Sequence, residues 1–335
     1  MIAAGFCHDL HDKTVQCDLC HHFCLIRPGS SGICHVRKNV DGRLMTLNFG
    51  QPAARAVDPV EKKPLYHFMP GSWTYSLGTR GCNFTCSNCQ NWEISQEEAD
   101  ETGDPSVSPE TIVDSALREA CPSISYTYTE PTVFAEYALA IMKLARQRGL
   151  KNIWVSNGYM APDCLDAVEP WLDAVNIDLK SMDDRFYRQV CGARLQPVLD
   201  NLHRIAGSGI HLEITTLVIP GHSDSAEMFG RLARFVAADL GSHTPWHVIP
   251  FYPEISWKMT GLPSTSAETL SAAYLIGKKA GLSYIYAGPG HNDTLCPACG
   301  ATVIERHRFN RWSNIIRLDV NGRCPSCSAT AFIKD

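Results

Sequence analysis

Trp73-Thr74-Tyr75-Ser76-Leu77-Gly78-Thr79-Arg80-Gly81-Cys82-Asn83-Phe84-Thr85-Cys86-Ser87-Asn88-Cys89 is the stretch from which the rest of the chain can be read. It is a short β-branched and aromatic run followed at once by a loop with three cysteines in Cys-x3-Cys-x2-Cys spacing. Three thiolates on so short a loop can hold three irons of a 4Fe-4S cluster. Four would make a closed electron carrier, whereas three leave one iron able to bind a small molecule. A zinc loop is the alternative. Structural zinc wants four ligands, however, and no cysteine or histidine occurs within thirty residues after Cys89.

Outward from this loop, strand-like and helix-like segments alternate between residues 73 and 288. The expected strands are 73–77, 124–128, 152–156, 174–179, 212–219, 247–251 and 284–287. Between them, Ser108-Pro109 reads as a helix cap and first turn. Val133, Tyr137, Ile141 and Leu144 repeat at helical spacing up to Gly149. Leu195 to Ile205, Met228 to Val236 and Leu270 to Gly277 mark three more helices. The pattern predicts an α/β fold, a partial TIM-like (β/α)6 barrel with small Cys-rich metal-binding modules at both termini. In such a barrel the chemistry sits on the loops after the strands, where the cysteine loop lies.

The chain has 335 residues, 44% hydrophobic and 19% charged, with a formal net charge of -5. It forms no basic stripe, so nucleic acid is not expected as a partner, nor is a membrane. The N-terminal residues lack the regions of a secretory signal, and a cytoplasmic location is expected. Fifteen cysteines in such a chain point to metals rather than disulfides.

Five cysteines precede residue 35 and four follow residue 295. At the C-terminus, Cys296-x2-Cys299 and Cys324-x2-Cys327 read as a tetrahedral four-thiolate site of the zinc-ribbon or rubredoxin kind, holding zinc or iron. At the N-terminus, Cys17-x2-Cys20-x3-Cys24-x9-Cys34 is a second four-cysteine set, for zinc or an auxiliary iron-sulfur cluster. Cys7, His8, His11, His21 and His22 lie near it as competing ligands. The expected units are thus residues 1–70, 71–290 and 291–335.

The cysteine spacing behind a strand resembles that of radical S-adenosylmethionine (SAM) enzymes. With the run from Asp58 to Phe68, the stretch from Cys89 to Gln96 and both terminal cysteine sets, the likeness extends to the AmmeMemoRadiSam-system radical SAM enzymes. These are related to pyruvate formate-lyase activating enzymes. The resemblance implies a 4Fe-4S cluster whose open iron chelates SAM, and an electron that breaks a sulfur-carbon bond to give a 5'-deoxyadenosyl radical that abstracts hydrogen from a substrate. It implies a reductant such as flavodoxin or ferredoxin, and partners among the AMMECR and MEMO proteins. The substrate, protein or small molecule, stays open. Activation of a glycyl-radical protein is one alternative, and an electron-transfer or scaffold protein without catalysis is another.

The same resemblance assigns site residues. Glu130-Pro131 stands where these enzymes carry Gly-Gly-Glu-Pro to hold the SAM amino group, with Tyr128-Thr129 replacing the glycines. The bare-residue alternative there is a helix start capped by Thr129. Asn157 follows the third strand. Asp178 and Lys180 match an Asp-Leu-Lys that contacts SAM, and alternation places both on one strand face. Val155 replaces an acid, and Asn88 replaces the aromatic residue that touches adenine; Phe84 and Trp92 are the substitutes to consider. Cys191 is a candidate hydrogen donor or radical relay, with ordinary burial as the alternative. Ser223 or Asp224 is expected either to cap the following helix or to line the site, and His247 and Tyr252 flank the sixth strand, where a buried structural role and substrate contact are both open.

Overall fold

The computed structural model describes residues 1–96, 106–288, 292–307 and 313–334. Its centre is one eight-stranded sheet in sequential order. The strands are β1 (Pro52–Pro59), β2 (Trp73–Thr79), β3 (Ser123–Tyr126), β4 (Lys151–Ser156), β5 (Ala174–Asp178), β6 (His211–Val218), β7 (Trp246–Pro250) and β8 (Ile285–Ala287). From β2 to β8 every neighbour is parallel, and β1 joins β2 antiparallel. The two edge strands β1 and β8 do not pair, so the barrel is open, as expected. All seven predicted strands are present.

The edge strand β1 was not visible in the sequence. Its register shift between Pro52 and Ala54 and its exposed alternate residues disguise the strand period.

Helices α1 (Pro109–Arg118), α2 (Ala135–Gln147), α3 (Pro162–Val168), α4 (Leu195–Gly207), α5 (Ala226–Phe235) and α6 (Ala267–Lys279) connect the parallel strands. Ser108 caps α1 by accepting from Thr111 N. Gly149 takes φ 78 just past α2, the left-handed turn its sequence position suggested. Ahead of α5 the expectation is corrected: Ser225 is the cap, accepting from Met228 N. Ser223 instead closes the preceding loop, donating to Leu217 O and accepting from Ile219 N. The core fills the space between helices and sheet, with Trp154, Trp246, Tyr126 and Phe229 fully buried.

The segment between β1 and β2 folds under the sheet interior and anchors the C-terminal module. Buried Glu213 on β6 accepts from Tyr66 N, His67 N, His211 and His247. Arg306 donates to Tyr66 O and Thr294, and Tyr284 donates to Ala331 O. A buried carboxylate with four donors is satisfied, and here it ties three segments to one point.

Candidate active site

A cavity of about 1010 Å³ opens at the C-terminal ends of the parallel strands. The loop after β2 brings Cys82, Cys86, Asn88 and Cys89 to its wall. Close packing shapes this loop. Gly78 lies where a Cβ would sit 2.3 Å from Thr127 O, and Gly192 takes φ 70 with a Cβ position 2.5 Å from Thr85 Oγ1. Thr85 N donates to Cys191 O and Ser87 N to Val190 O, so a π-helical turn, Tyr187–Cys191, clamps the cysteine loop from behind.

Each sulfur has a distinct setting. Cys82 accepts from Phe84 N at 3.4 Å, and Cys89 lies 3.4 Å from Ser95 Oγ. Burial pushes the Cys82 and Cys89 thiols up. Cys86 is lowered chiefly by the neighbouring Cys191 side chain, against burial, and Lys180 adds to the effect. Cys191 is itself buried and outside the cavity wall, in contact with Cys86.

Glu130 lines the cavity with most of its carboxylate engaged. Oε1 accepts from Thr132 N, Thr132 Oγ1 and Ser156 Oγ, and Oε2 accepts from Asn157 N. Burial raises its pKa against these bonds. Glu130, not Thr129, caps the following turn; Thr129 donates to Thr79 O. Asn157 passes the connection on, its Nδ2 donating to Asn83 Oδ1 in the cysteine loop. Asp178 and Lys180 both reach the cavity and pair at 2.8 Å. Burial works against the Lys180 ammonium, but Asp178, Cys86 and Cys191 outweigh it and raise its pKa.

Tyr128 stands where the resembled enzymes carry glycine, and it keeps a glycine-like φ of 69. Such a conformation costs about 1 to 3 kcal/mol and persists when neighbours hold it. Here the Tyr128 hydroxyl donates to Asp58 at 2.6 Å, Asn91 donates to its carbonyl, and Lys63 Nζ lies 4.6 Å from its ring. Burial alone would raise the Asp58 pKa, but Lys62, Lys63 and Tyr128 hold it well below the usual carboxylate range. Burial brings Lys63 down to about 8 despite that partner. Sequence reasoning named Tyr128 but missed Asp58 and Lys63 as the partners that hold it. Their only signal was the Asp58 to Phe68 run, a marker of resemblance with no chemistry attached.

Of the other expected residues, His247 and Tyr252 line the cavity, as does Val155. Phe84 touches the wall but is buried edge-on against Tyr159 and Tyr187. Trp92 stacks on Trp257 at 6.4 Å, away from the lining.

The wall suits an iron-sulfur cluster and a polar cofactor. Three cysteines converge on one side, and no three of their sulfurs crowd within the 4.8 Å of a single-ion site, as they do at the C-terminus. Asn88 Oδ1 and Thr215 Oγ1 are buried on the lining without a partner among the described residues, so a ligand with donors would satisfy them.

The C-terminal set assembles tightly. The sulfurs of Cys296, Cys299, Cys324 and Cys327 lie within 4.8 Å of one another, with pairs at 3.6 and 3.7 Å. Zinc bonded to thiolates at about 2.3 Å in a tetrahedron holds them about 3.8 Å apart. The N-terminal cysteines Cys17, Cys20, Cys24 and Cys34 line a separate small cavity.

Residues 76–236 match the profile described as the Radical SAM superfamily. An uncharacterized protein of Methanocaldococcus jannaschii is 42% identical over 332 residues, 98% of each chain. The pyruvate formate-lyase 1-activating enzyme of Escherichia coli is 21% identical over 52% of this chain and 72% of its own. The isethionate sulfite-lyase activating enzyme of Nitratidesulfovibrio vulgaris is 27% identical over 37% and 40%. In fold, the chain is similar to a radical SAM methyltransferase from Sphaerobacter thermophilus, with TM-score 0.50, 16% identity and coverage of 70% and 71%.

Proposed function

The chain belongs to the radical SAM superfamily and is an enzyme, and from that premise we propose that its cavity binds SAM beside a 4Fe-4S cluster held by Cys82, Cys86 and Cys89. The observation that carries this reading is the convergence of those cysteines with Asn88, Glu130, Asp178 and Lys180 on one cavity. Cys82, Cys86 and Cys89 would hold the cluster, which when bound would supply the electron for reductive SAM cleavage and so the means of hydrogen abstraction from a substrate in this cavity.

The protein's own residues position and dry the site. Lys180 offers a cation to a carboxylate, while Asp178 accepts from an ammonium and keeps Lys180 charged. Asn88 Oδ1 accepts from the adenine amine, in place of the aromatic contact. Glu130 fixes the third-strand loop to the second, and Asn157 carries that order to the cysteine loop. Cys191 steadies Cys86 rather than meeting substrate, because it lies behind the wall. The cavity is at the upper end of ligand-site volumes, about 300 to 1,000 Å³, which leaves space beside SAM for a substrate.

The test is anaerobic reconstitution, reduction and assay for 5'-deoxyadenosine. A reconstituted protein with a full cluster that forms none would overturn the proposal. Glycyl-radical activation is the second reading, favoured by the activating-enzyme names of several relatives; a glycyl-radical signal generated in a partner protein would establish it. Flavodoxin or ferredoxin is the proposed reductant, and AMMECR and MEMO proteins are proposed partners. The C-terminal tetrad is proposed to hold zinc in a structural role, since its four thiolates leave no open position.

A further inference from the structure

The N-terminal cysteines come together from three turns. Cys17 ends one strand and donates its N-H to Cys24 O, Cys20 opens a tight turn closed by Phe23 N, and Cys34 sits in the turn of Gly32 to Arg37. All four line one small, enclosed cavity. Of the nearby groups, His22 lines the same cavity but places Nε2 2.7 Å from Asn83 O, His8 pairs with Asp18, Cys7 Sγ donates to Ala4 O, and His21 packs edge-on against Phe23 and Tyr159 outside the lining.

Two residues that line this cavity carry a buried donor, and one of them, Arg37, lies beside Cys17. Arg37 is 1% exposed and pairs through Nη1 with Glu136 at 2.8 Å, yet its Nε meets no oxygen or nitrogen acceptor among the described residues. Asn83 is also 1% exposed, and its Nδ2 is likewise unpartnered. Leaving a buried donor unmade costs about 1 to 3 kcal/mol, so two on one cavity indicate an acceptor-rich, anionic occupant. Thiolates and inorganic sulfides are such acceptors.

Spacing separates the candidate occupants. One zinc draws its thiolates to about 3.8 Å apart. The C-terminal sulfurs meet that demand, but among the described residues no other three ligand atoms lie within 4.8 Å of one another. The N-terminal cysteines line one cavity without any three of their sulfurs drawing that close, as they would around a core of several atoms.

We propose that Cys17, Cys20, Cys24 and Cys34 bind a second iron-sulfur cluster, seated against the loop that carries Cys82. Asn83 belongs to both surroundings, bordering this cavity while its Oδ1 accepts from Asn157. Gly81, with φ 92, lies where a Cβ would come 2.6 Å from Cys34 O, so the two cysteine groups are packed backbone to backbone. Four thiolates leave no iron open, and this cluster therefore binds no substrate. The inference does not depend on SAM cleavage.

The test uses the full-length chain, anaerobically reconstituted, as wild type and as the triple variant Cys82→Ala, Cys86→Ala, Cys89→Ala. Acid-labile sulfide, iron and zinc are counted, and electron paramagnetic resonance spectra are taken after dithionite reduction. The triple variant should keep about two to four sulfides per chain and a reducible iron signal. Adding Cys20→Ala and Cys34→Ala should remove both. A folded triple variant with no labile sulfide, or with about two zinc ions per chain, overturns the proposal. Should the triple variant not fold, the wild type decides: more than about four sulfides supports a second cluster, and four or fewer overturns it. The difference between wild type and triple variant reads the first cluster separately.

Discussion

In the C-terminal module the four sulfurs pair at 3.6 and 3.7 Å, two cysteines buried and two exposed, around a point that could hold one ion. Cys82, Cys86 and Cys89 have similar gaps along the chain, yet they line the rim of a cavity of about 1010 Å³. The difference lies in what carries the cysteines. Two Cys-x2-Cys turns facing each other close a tetrahedron by themselves, whereas a single loop pinned behind by Tyr187–Cys191 faces an open space supplied by other strands. The first arrangement is suited to stability and the second to binding.

The largest effect should separate the two regions outright. Cys86→Ala is expected to lower 5'-deoxyadenosine formation at least about a thousandfold, about 4 kcal/mol of activation free energy. Cys324→Ala should leave formation per cluster-loaded chain within about threefold. Equal losses in both would mean that the C-terminal module takes part in the chemistry. Next in size, Cys324→Ala should release its metal and lower Tm by about 5 to 10 °C, read by calorimetry with metal analysis. An unchanged Tm would remove the structural role.

A smaller effect concerns the link between the regions. Burial brings His67 down to about 3 from 6.5, and His67 lies 3.3 Å from Phe332 O in the C-terminal module. Between those pH values the unfolded chain binds the proton and the folded chain does not. Its contribution to stability is therefore lost as pH falls below 6.5, by up to about 1.4 kcal/mol per pH unit. Denaturation from pH 7 to 4 should show a shallower loss in His67→Gln than in the wild type; parallel curves would exclude His67 as the cause. Smallest is Asn88→Ala, which removes one neutral acceptor. It should raise KM for SAM about tenfold with kcat within about twofold. A fall in kcat alone would place Asn88 in a role other than cofactor binding.

Much of the fold was legible in the chain, for a definite reason. Strands buried on both faces, such as Ala174–Asp178, carry continuous apolar runs, and helices such as Leu195–Gly207 carry the 3.6-residue period, so both signals are local. Pro52–Pro59 escaped because an edge strand with a register shift has neither. Within the site, Cys82, Cys86 and Cys89 could be found from spacing. Asp58 and Lys63 could not, since they reach Tyr128 only after β1 has paired with β2. The helix caps were resolved to within one or two residues: both Thr129 and Ser223 have neighbours, Glu130 and Ser225, that can do the same job, and backbone geometry chooses between them.

Residue spacing and hydrophobic period, both properties of adjacent residues, were enough for the parallel order of strands, the three-thiolate loop and the presence of two four-cysteine sets. Distances between sulfurs from separate turns depend on how those turns pack. Packing therefore drew the C-terminal sulfurs into a tight tetrad while leaving the N-terminal cysteines around a cavity with no three sulfurs so close, placed Cys191 beside Cys86 outside the main cavity's lining, and committed Glu130 to Thr132, Ser156 and Asn157. These outcomes arise from contacts between residues far apart in the chain, for which no local pattern exists.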